Sequence, residues 1–276
     1  MTRLPLPTSS TASLSTLIPR SSSSTCTIVY ASHARWPLPP TSTQPVSRPL
    51  RVAVLDSSFN PPHLAHLALA TLGQHDALLL AFTVGNSDKG SVQSDVTRLR
   101  LEMVRAMAVE MQRGRGENVA VALMDAPTFV RKSRILKEEL GALVEEQSGR
   151  EAAPAVQLDF AVGYDTLLRI FAPRYYQTGP SLAESMDALL RADDSVLSCA
   201  RRGDVSKDEE RDFLDSAEVK PWANKIELFD LDEKVRGVSS TAIRQAVQEE
   251  RWDEVKRDVP FPGVLGILLR EGLYKE

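Results

Sequence analysis

One stretch, residues 51–72 (RVAVLDSSFNPPHLAHLALATL), constrains this chain more than any other. It opens on an apolar run, residues 52–55, the mark of a short buried strand. The chain then turns through Asp56, Ser57, Ser58, Phe59 and Asn60. Pro61 and Pro62 follow, where a helix tolerates proline because its first N–H groups lack an intrahelical partner. From His63 the apolar spacing is helical, through Leu64, Leu67, Ala68 and Leu72. The pattern is strand, tight polar turn, helix. His63 and His66, three apart, share one face of the first turn. That turn also directs backbone N–H groups outward at the positive end of the helix dipole, the usual seat of a phosphate.

The rest of the chain repeats the alternation. Residues 77–84, a continuous apolar run, predict a strand buried on both faces. Further strands are expected at 119–124, 156–162, 195–200 and 226–229. Helices are expected at 94–112, 130–145, directly after Gly163-Tyr164-Asp165, and at 181–191, 206–217, 240–249 and 263–271. A methionine-bearing stripe along 99–111 reads as core filler rather than a ligand set. Strands alternating with helices predict an α/β, Rossmann-like doubly wound parallel sheet of five to six strands, a single domain over 49–276. Ligands on such sheets sit at the carboxyl ends of the strands. Five polar loops fall there, at 56–60, 85–90, 125–129, 163–165 and 201–203, which argues for one cleft.

Composition excludes some classes. The 276 residues are 42% hydrophobic and 25% charged, ordinary globular material. No run approaches the ~20 apolar residues of a membrane span, so no membrane role is expected. Cys26 and Cys199 have no metal-ligand spacing and make no disulfide framework, which suits a reducing compartment, cytoplasmic or nuclear. The net charge of −4 argues against nucleic acid as a partner. Residues 1–48 carry four arginines and no acid, which leaves −8 on the remainder. This segment is rich in Ser, Thr and Pro and reads as a disordered tail. Its Arg- and Ser-rich, acid-free character also suits a mitochondrial transit peptide.

Two groups of residues carry the chemistry. A zinc site at His63 and His66 would need a third ligand and lacks the H-E-x-x-H spacing; phosphate contact at the helix end is the stronger reading. Ser239, Ser240 and Thr241 at a helix start, with Arg244 one turn on, form either an ordinary capped helix or a clamp for a polyphosphate. Lys89, in a Gly-bearing loop, and Arg201, after a strand, read as solvated charges or as anion contacts. Asp165 reads as a helix cap or a site residue.

Ser57-Ser58-Phe59-Asn60-Pro61-Pro62-His63-Leu64-Ala65-His66 resembles the (G/S)-S-F-N-P-x-H-x-G-H signature of nicotinamide mononucleotide (NMN) adenylyltransferases, in the HxGH nucleotidyltransferase superfamily. About 175 residues on, Val238-Ser239-Ser240-Thr241-Ala242-Ile243-Arg244 is similar to that family's I-S-S-T-x-I-R. The resemblance covers roughly residues 50–276 and looks nearest to a fungal-type branch. It implies ATP and NMN as substrates, with Mg²⁺ held mainly by the ATP phosphates and no protein metal ligand. It implies catalytic roles for His63, His66, Lys89 and Arg244. It also implies nucleotide contacts from Ser57, Ser58, Phe59, Asn60, Gly163, Asp165, Arg201, Ser239, Ser240 and Thr241. Two departures stand out. Ala65 replaces the family's glycine, and the loop 125–129 lacks the tryptophans that stack on the pyridine, leaving Phe129 as the candidate stacker.

The expected reaction is attack of the NMN 5′-phosphate on the α-phosphorus of ATP, giving NAD and pyrophosphate. Two alternatives stay open. One is a related transferase with another phosphorylated acceptor, such as phosphopantetheine, or with a CTP-using substrate. The other is an ATP-binding or ATP-hydrolysing protein that works through protein interaction. The sequence does not speak to oligomeric state.

Overall fold

The computed structural model describes residues 26–41, 48–83, 95–201 and 205–275. Seven strands form one sheet: β1 (Cys26–Ala31), β2 (Leu50–Ser57), β3 (Ala77–Thr83), β4 (Val119–Met124), β5 (Val156–Gly163), β6 (Val196–Ala200) and β7 (Ile226–Phe229). Their order is β1-β4-β3-β2-β5-β6-β7, with β1 antiparallel to β4 and the other neighbours parallel. The chain winds outward from β2 to β3 and β4, then returns to β5 on the other side of β2. The switch point therefore lies between β2 and β5, where an open α/β sheet forms its ligand crevice.

Helices cover both faces. The first six are α1 (Leu64–Ala70), α2 (Asp95–Arg115), α3 (Phe129–Ser148), α4 (Tyr164–Ile170), α5 (Leu182–Met186) and α6 (Lys207–Asp215). The last four are α7 (Glu233–Arg236), α8 (Ser240–Gln248), α9 (Trp252–Asp258) and α10 (Pro262–Glu271). Alternate residues of β3 serve the two faces, as the pleat requires. Leu78, Leu80 and Phe82 join a core with Phe59, Met103, Met107, Ile243 and Val264. Leu79 and Ala81 join a second core with Leu136, Leu140, Phe160, Met186 and Trp222. The methionine stripe of α2 is thus core, as its spacing implies.

The sequence reading needs three corrections. First, residues 1–48 are not a uniform disordered tail. Residues 26–31 form β1, an edge strand with Val29, Tyr30 and Ala31 buried. Trp36 is fully buried, and its Nε1 donates to the Asn118 carbonyl at 3.2 Å. Tyr30 Oη donates to Gln112 Oε1 at 2.5 Å. A Ser/Thr/Pro average over 48 residues diluted one short apolar run, CTIVYA, that finds its partner at β4 almost a hundred residues later. Second, that strand raises the sheet from the expected five or six strands to seven. Third, α7 and α9 were not anticipated, because neither is long enough to show a period. The helix expected over 181–191 is α5 running into a π turn, Asp187–Ala192.

Candidate active site

The turn 57–63 leaves the carboxyl end of β2, the strand beside the switch point. Phe59 adopts φ 45°, a left-handed conformation costly for a residue with a side chain. The ring is held by complete burial and by the His66 ring, 4.9 Å away centre to centre. The Asn60–Pro61 peptide is cis. The chain enters α1 with His63 at the cap position.

The two histidines are locked rather than free. His66 Nδ1 accepts from the His63 backbone N–H at 3.2 Å. A neutral ring must then carry its proton on Nε2, which donates to Ser57 Oγ at 2.9 Å. Ser57 Oγ also lies 3.5 Å from the Phe59 N–H. The His63 ring stacks on His66 with centroids 3.7 Å apart, and its buried Nδ1 has no hydrogen-bond partner. Burial pushes His63 down to about 4, with Asp258 pulling weakly the other way. Burial, with His63 adding to it, holds His66 well below the usual histidine range. Both rings are therefore neutral near pH 7 in this form.

The second motif docks on the first. Ser239 caps α8, its Oγ accepting from the Ala242 N–H at 3.2 Å. Ser240 Oγ donates to the Pro61 carbonyl at 3.1 Å. Arg244 donates to the Asn60 carbonyl at 2.8 Å and to Thr241 Oγ1 at 3.2 Å. Thr241 and Ser239 stay exposed at the helix start. The segment is a capped helix, and it is placed against the histidine turn.

Two further residues grip the turn and escaped the sequence reading. Arg100 of α2 donates through Nε and Nη2 to the Ser58 carbonyl at 3.1 and 2.6 Å, with its guanidinium over the Phe82 ring. Tyr274 Oη donates to Asn60 Oδ1 at 2.6 Å. Arg100 carried a signal: it lies in phase with Met103, Val104 and Met107 on the buried stripe of α2, where a charge needs a reason. Tyr274, beyond the last helix, carried none.

The neighbouring part of the rim is built differently. Asp56, the residue before Ser57, accepts from Thr83 Oγ1 at 2.6 Å and pairs with Lys132 of α3. Lys132 is buried in phase with Leu136 and Leu140, again a charge at a core position, and sits 5.4 Å from the Phe129 ring centre. Phe129 is half-buried, edge-on to Phe160 at 5.4 Å, so it is at once a core residue and a rim residue. Gly163 precedes α4; a Cβ there would meet nothing within 4 Å, so the approach to that helix start is open. Asp165 is exposed in its first turn. Arg201 pairs with Glu210 at 3.0 Å and Asp230 at 3.3 Å, beside a cavity of about 800 Å³ lined also by Lys207, Arg211 and Lys220. Lys89 and the loop 85–90 lie outside the described residues.

No family model matches the sequence. The chain is 30% identical over 222 residues to a Schizosaccharomyces pombe protein named "Putative nicotinamide mononucleotide adenylyltransferase", covering 76% of this chain and 80% of that one. It is 23% identical over 214 residues to the "Probable nicotinate-nucleotide adenylyltransferase" of Helicobacter hepaticus, covering 76% of this chain and 90% of that one. Among solved structures, the fold matches the Plasmodium falciparum nicotinic acid mononucleotide adenylyltransferase complexed with APC. That match has a TM-score of 0.50 at 14% identity and covers 81% of this chain and 96% of the other. The identity to the Schizosaccharomyces pombe protein, over four-fifths of its length, places the chain in the nucleotidyltransferase superfamily. Within it, the chain belongs to the nicotinamide/nicotinate mononucleotide adenylyltransferase family.

Proposed function

We propose that this chain transfers the adenylyl group of ATP to NMN, giving NAD and pyrophosphate. One observation carries the reading: the hydroxyl- and arginine-bearing start of α8 is hydrogen-bonded directly onto the turn that presents the two histidines. Residues remote in sequence thus meet beside the carboxyl end of β2. Arg244 is held by a carbonyl and a hydroxyl, both neutral, so its positive charge remains uncompensated by those contacts.

In the reaction, an oxygen of the acceptor 5′-phosphate attacks the α-phosphorus of ATP. The new P–O bond forms as the bond to the bridging α–β oxygen breaks, and pyrophosphate leaves with that electron pair. No protein nucleophile takes part. Catalysis then rests on positioning and on charge stabilisation. His63, with its unpartnered Nδ1, would meet the phosphates, where an arriving polyanion favours its protonated form. His66, whose Nδ1 already accepts, would reach them by turning its Nε2–H from Ser57 to a phosphate oxygen. Arg244 and Lys89 would neutralise charge, and Ser239, Ser240 and Thr241 would cradle the phosphate tail. Arg201 would reach the nucleotide by exchanging its carboxylate partners. Phe129 would lie against the pyridine ring.

Among the described residues, no group of three His, Cys, Asp or Glu side chains could hold a metal ion. Mg²⁺ would be carried by the ATP phosphates, whose charge it would screen, because such ions are held largely by substrate oxygens. Among those residues, too, no helix is long and apolar enough to cross a membrane.

The test is pyrophosphate release from the purified protein with ATP and Mg²⁺, NMN and nicotinate mononucleotide being offered in parallel. Release with NMN that falls about 10²- to 10³-fold in a folded His66→Ala variant supports the proposal. Faster release with nicotinate mononucleotide would reassign the acceptor. Tight ATP binding with no release on either would remove the proposed activity.

A further inference from the structure

Tyr274 lies outside both motifs, yet it touches the first. After α10 the chain reverses at Gly272, which is left-handed at φ 60°, and Tyr274 follows at φ 65°. The reversal brings the tyrosine ring against the core that contains Phe59 and Ile243. Its hydroxyl then reaches Asn60 Oδ1 at 2.6 Å.

We propose that Tyr274 is a positioning residue for adenylyl transfer. By holding Asn60 Oδ1, it turns the two N–H donors of the Asn60 amide toward the ATP polyphosphate. The proposal rests on the function proposed above.

The other contacts to this turn act on the main chain. Arg100 grips the Ser58 carbonyl, Arg244 the Asn60 carbonyl, and Ser240 the Pro61 carbonyl. Together they set the path of the backbone through 58–61. They leave the rotation of the Asn60 amide open, and that torsion is broad and roughly two-fold. An amide offers an acceptor at one end and two donors at the other, so which end faces an anion decides whether it attracts or repels. The Tyr274 hydroxyl makes that choice. Burial pushes its phenol up to about 12, with Arg100 and Arg244 drawing it the other way, so it stays a donor through the working pH range. A non-glycine residue held at positive φ so that its tip meets this one side chain is strain kept at a functional place.

Tyr274→Phe removes the hydroxyl and keeps the ring. The expected result is a melting temperature within about 4 °C of wild type. With it comes a kcat reduced about tenfold to a hundredfold and an unchanged acceptor KM. A cycle with Asn60→Ala makes the test specific. If the tyrosine acts through Asn60, the double variant is no slower than Asn60→Ala alone. Wild-type kcat in Tyr274→Phe, or losses that multiply in the double variant, would overturn the proposal. ATP affinity, read by calorimetry with Mg²⁺, separates this outcome from failure of the acceptor reading. Should wild type release no pyrophosphate at all, the proposed function falls. The latch then stands if Tyr274→Phe weakens ATP binding in wild type but not in the Asn60→Ala background, and falls if ATP binds equally well with and without the hydroxyl.

Discussion

The histidine turn at 57–66 and the neighbouring rim at Lys132 and Arg201 both place cations near the switch point, but they hold them in opposite ways. At the turn, Arg244 bonds a carbonyl and a hydroxyl. On the neighbouring rim Lys132 pairs with Asp56, and Arg201 pairs with Glu210 and Asp230. A guanidinium bonded to neutral oxygens keeps its field, whereas one bonded to a carboxylate loses most of it beyond the near neighbourhood of the pair. In the first, the positive charge faces no carboxylate partner among the described residues, as the proposed contact with a polyanion requires. In the second, each cation is already matched by carboxylates. The difference teaches that counting cations around a cleft misleads unless their partners are counted too.

The largest effect should come from breaking the buried pair. Lys132→Met leaves Asp56 without its cation and should cost about 3–5 kcal/mol in urea unfolding. The double variant Asp56→Leu, Lys132→Met should recover most of that loss. Full stability in the single variant would mean that this rim is not structurally held as argued. At the turn the signature reverses. Arg244→Gln should lower turnover about 10²- to 10³-fold. The same change should cost only about 1 kcal/mol of stability, the scale of a lost hydrogen bond. Arg201→Gln should cost less, about tenfold, because any contact its guanidinium makes to the nucleotide is offset by the carboxylate partners it gives up. Equal losses in Arg201→Gln and Arg244→Gln would erase the distinction between the two regions.

Acid titration sharpens the same contrast. His63 is depressed from its usual value of 6.5 to about 4 in the folded protein. The unfolded chain then binds the extra proton first as pH falls. Stability from this group is full above about 6.5, declines between about 6.5 and about 4, and is level below. The loss amounts to about 3 kcal/mol. His66 moves in the same direction. Thermal melts of wild type and His63→Gln across pH 7.5 to 4.5 would check it, the variant showing the shallower decline. Parallel curves would place the acid sensitivity elsewhere.

Much of this was legible beforehand, for identifiable reasons. The strand, turn and helix of 51–72 could be read because each step uses a local rule: an apolar run, prolines at a helix start, then helical spacing. The second motif was legible as a capped helix because capping is local too, and Ser239 does cap α8. The contact between the motifs spans 179 to 184 residues and has no local signature. Lys132 and Arg100 each sit at core phase on a helix, a sign that was present but not used. Tyr274 offered no sign at all. The segment 26–41 was misread because an average over 48 residues hides one strand.

The sequence by itself determined the alternation of strands and helices, hence a parallel sheet with its polar loops on one rim. It also determined the two motifs through which the family can be recognised. Those are consequences of periodicity and turn chemistry, which act over a few residues. Packing settled which cations keep their charge, which tautomer His66 carries, and which distant tyrosine hydroxyl bonds the Asn60 side chain. Those depend on partners brought within hydrogen-bond reach by packing, and electrostatics and hydrogen bonding are settled by distance in space rather than by distance along the chain.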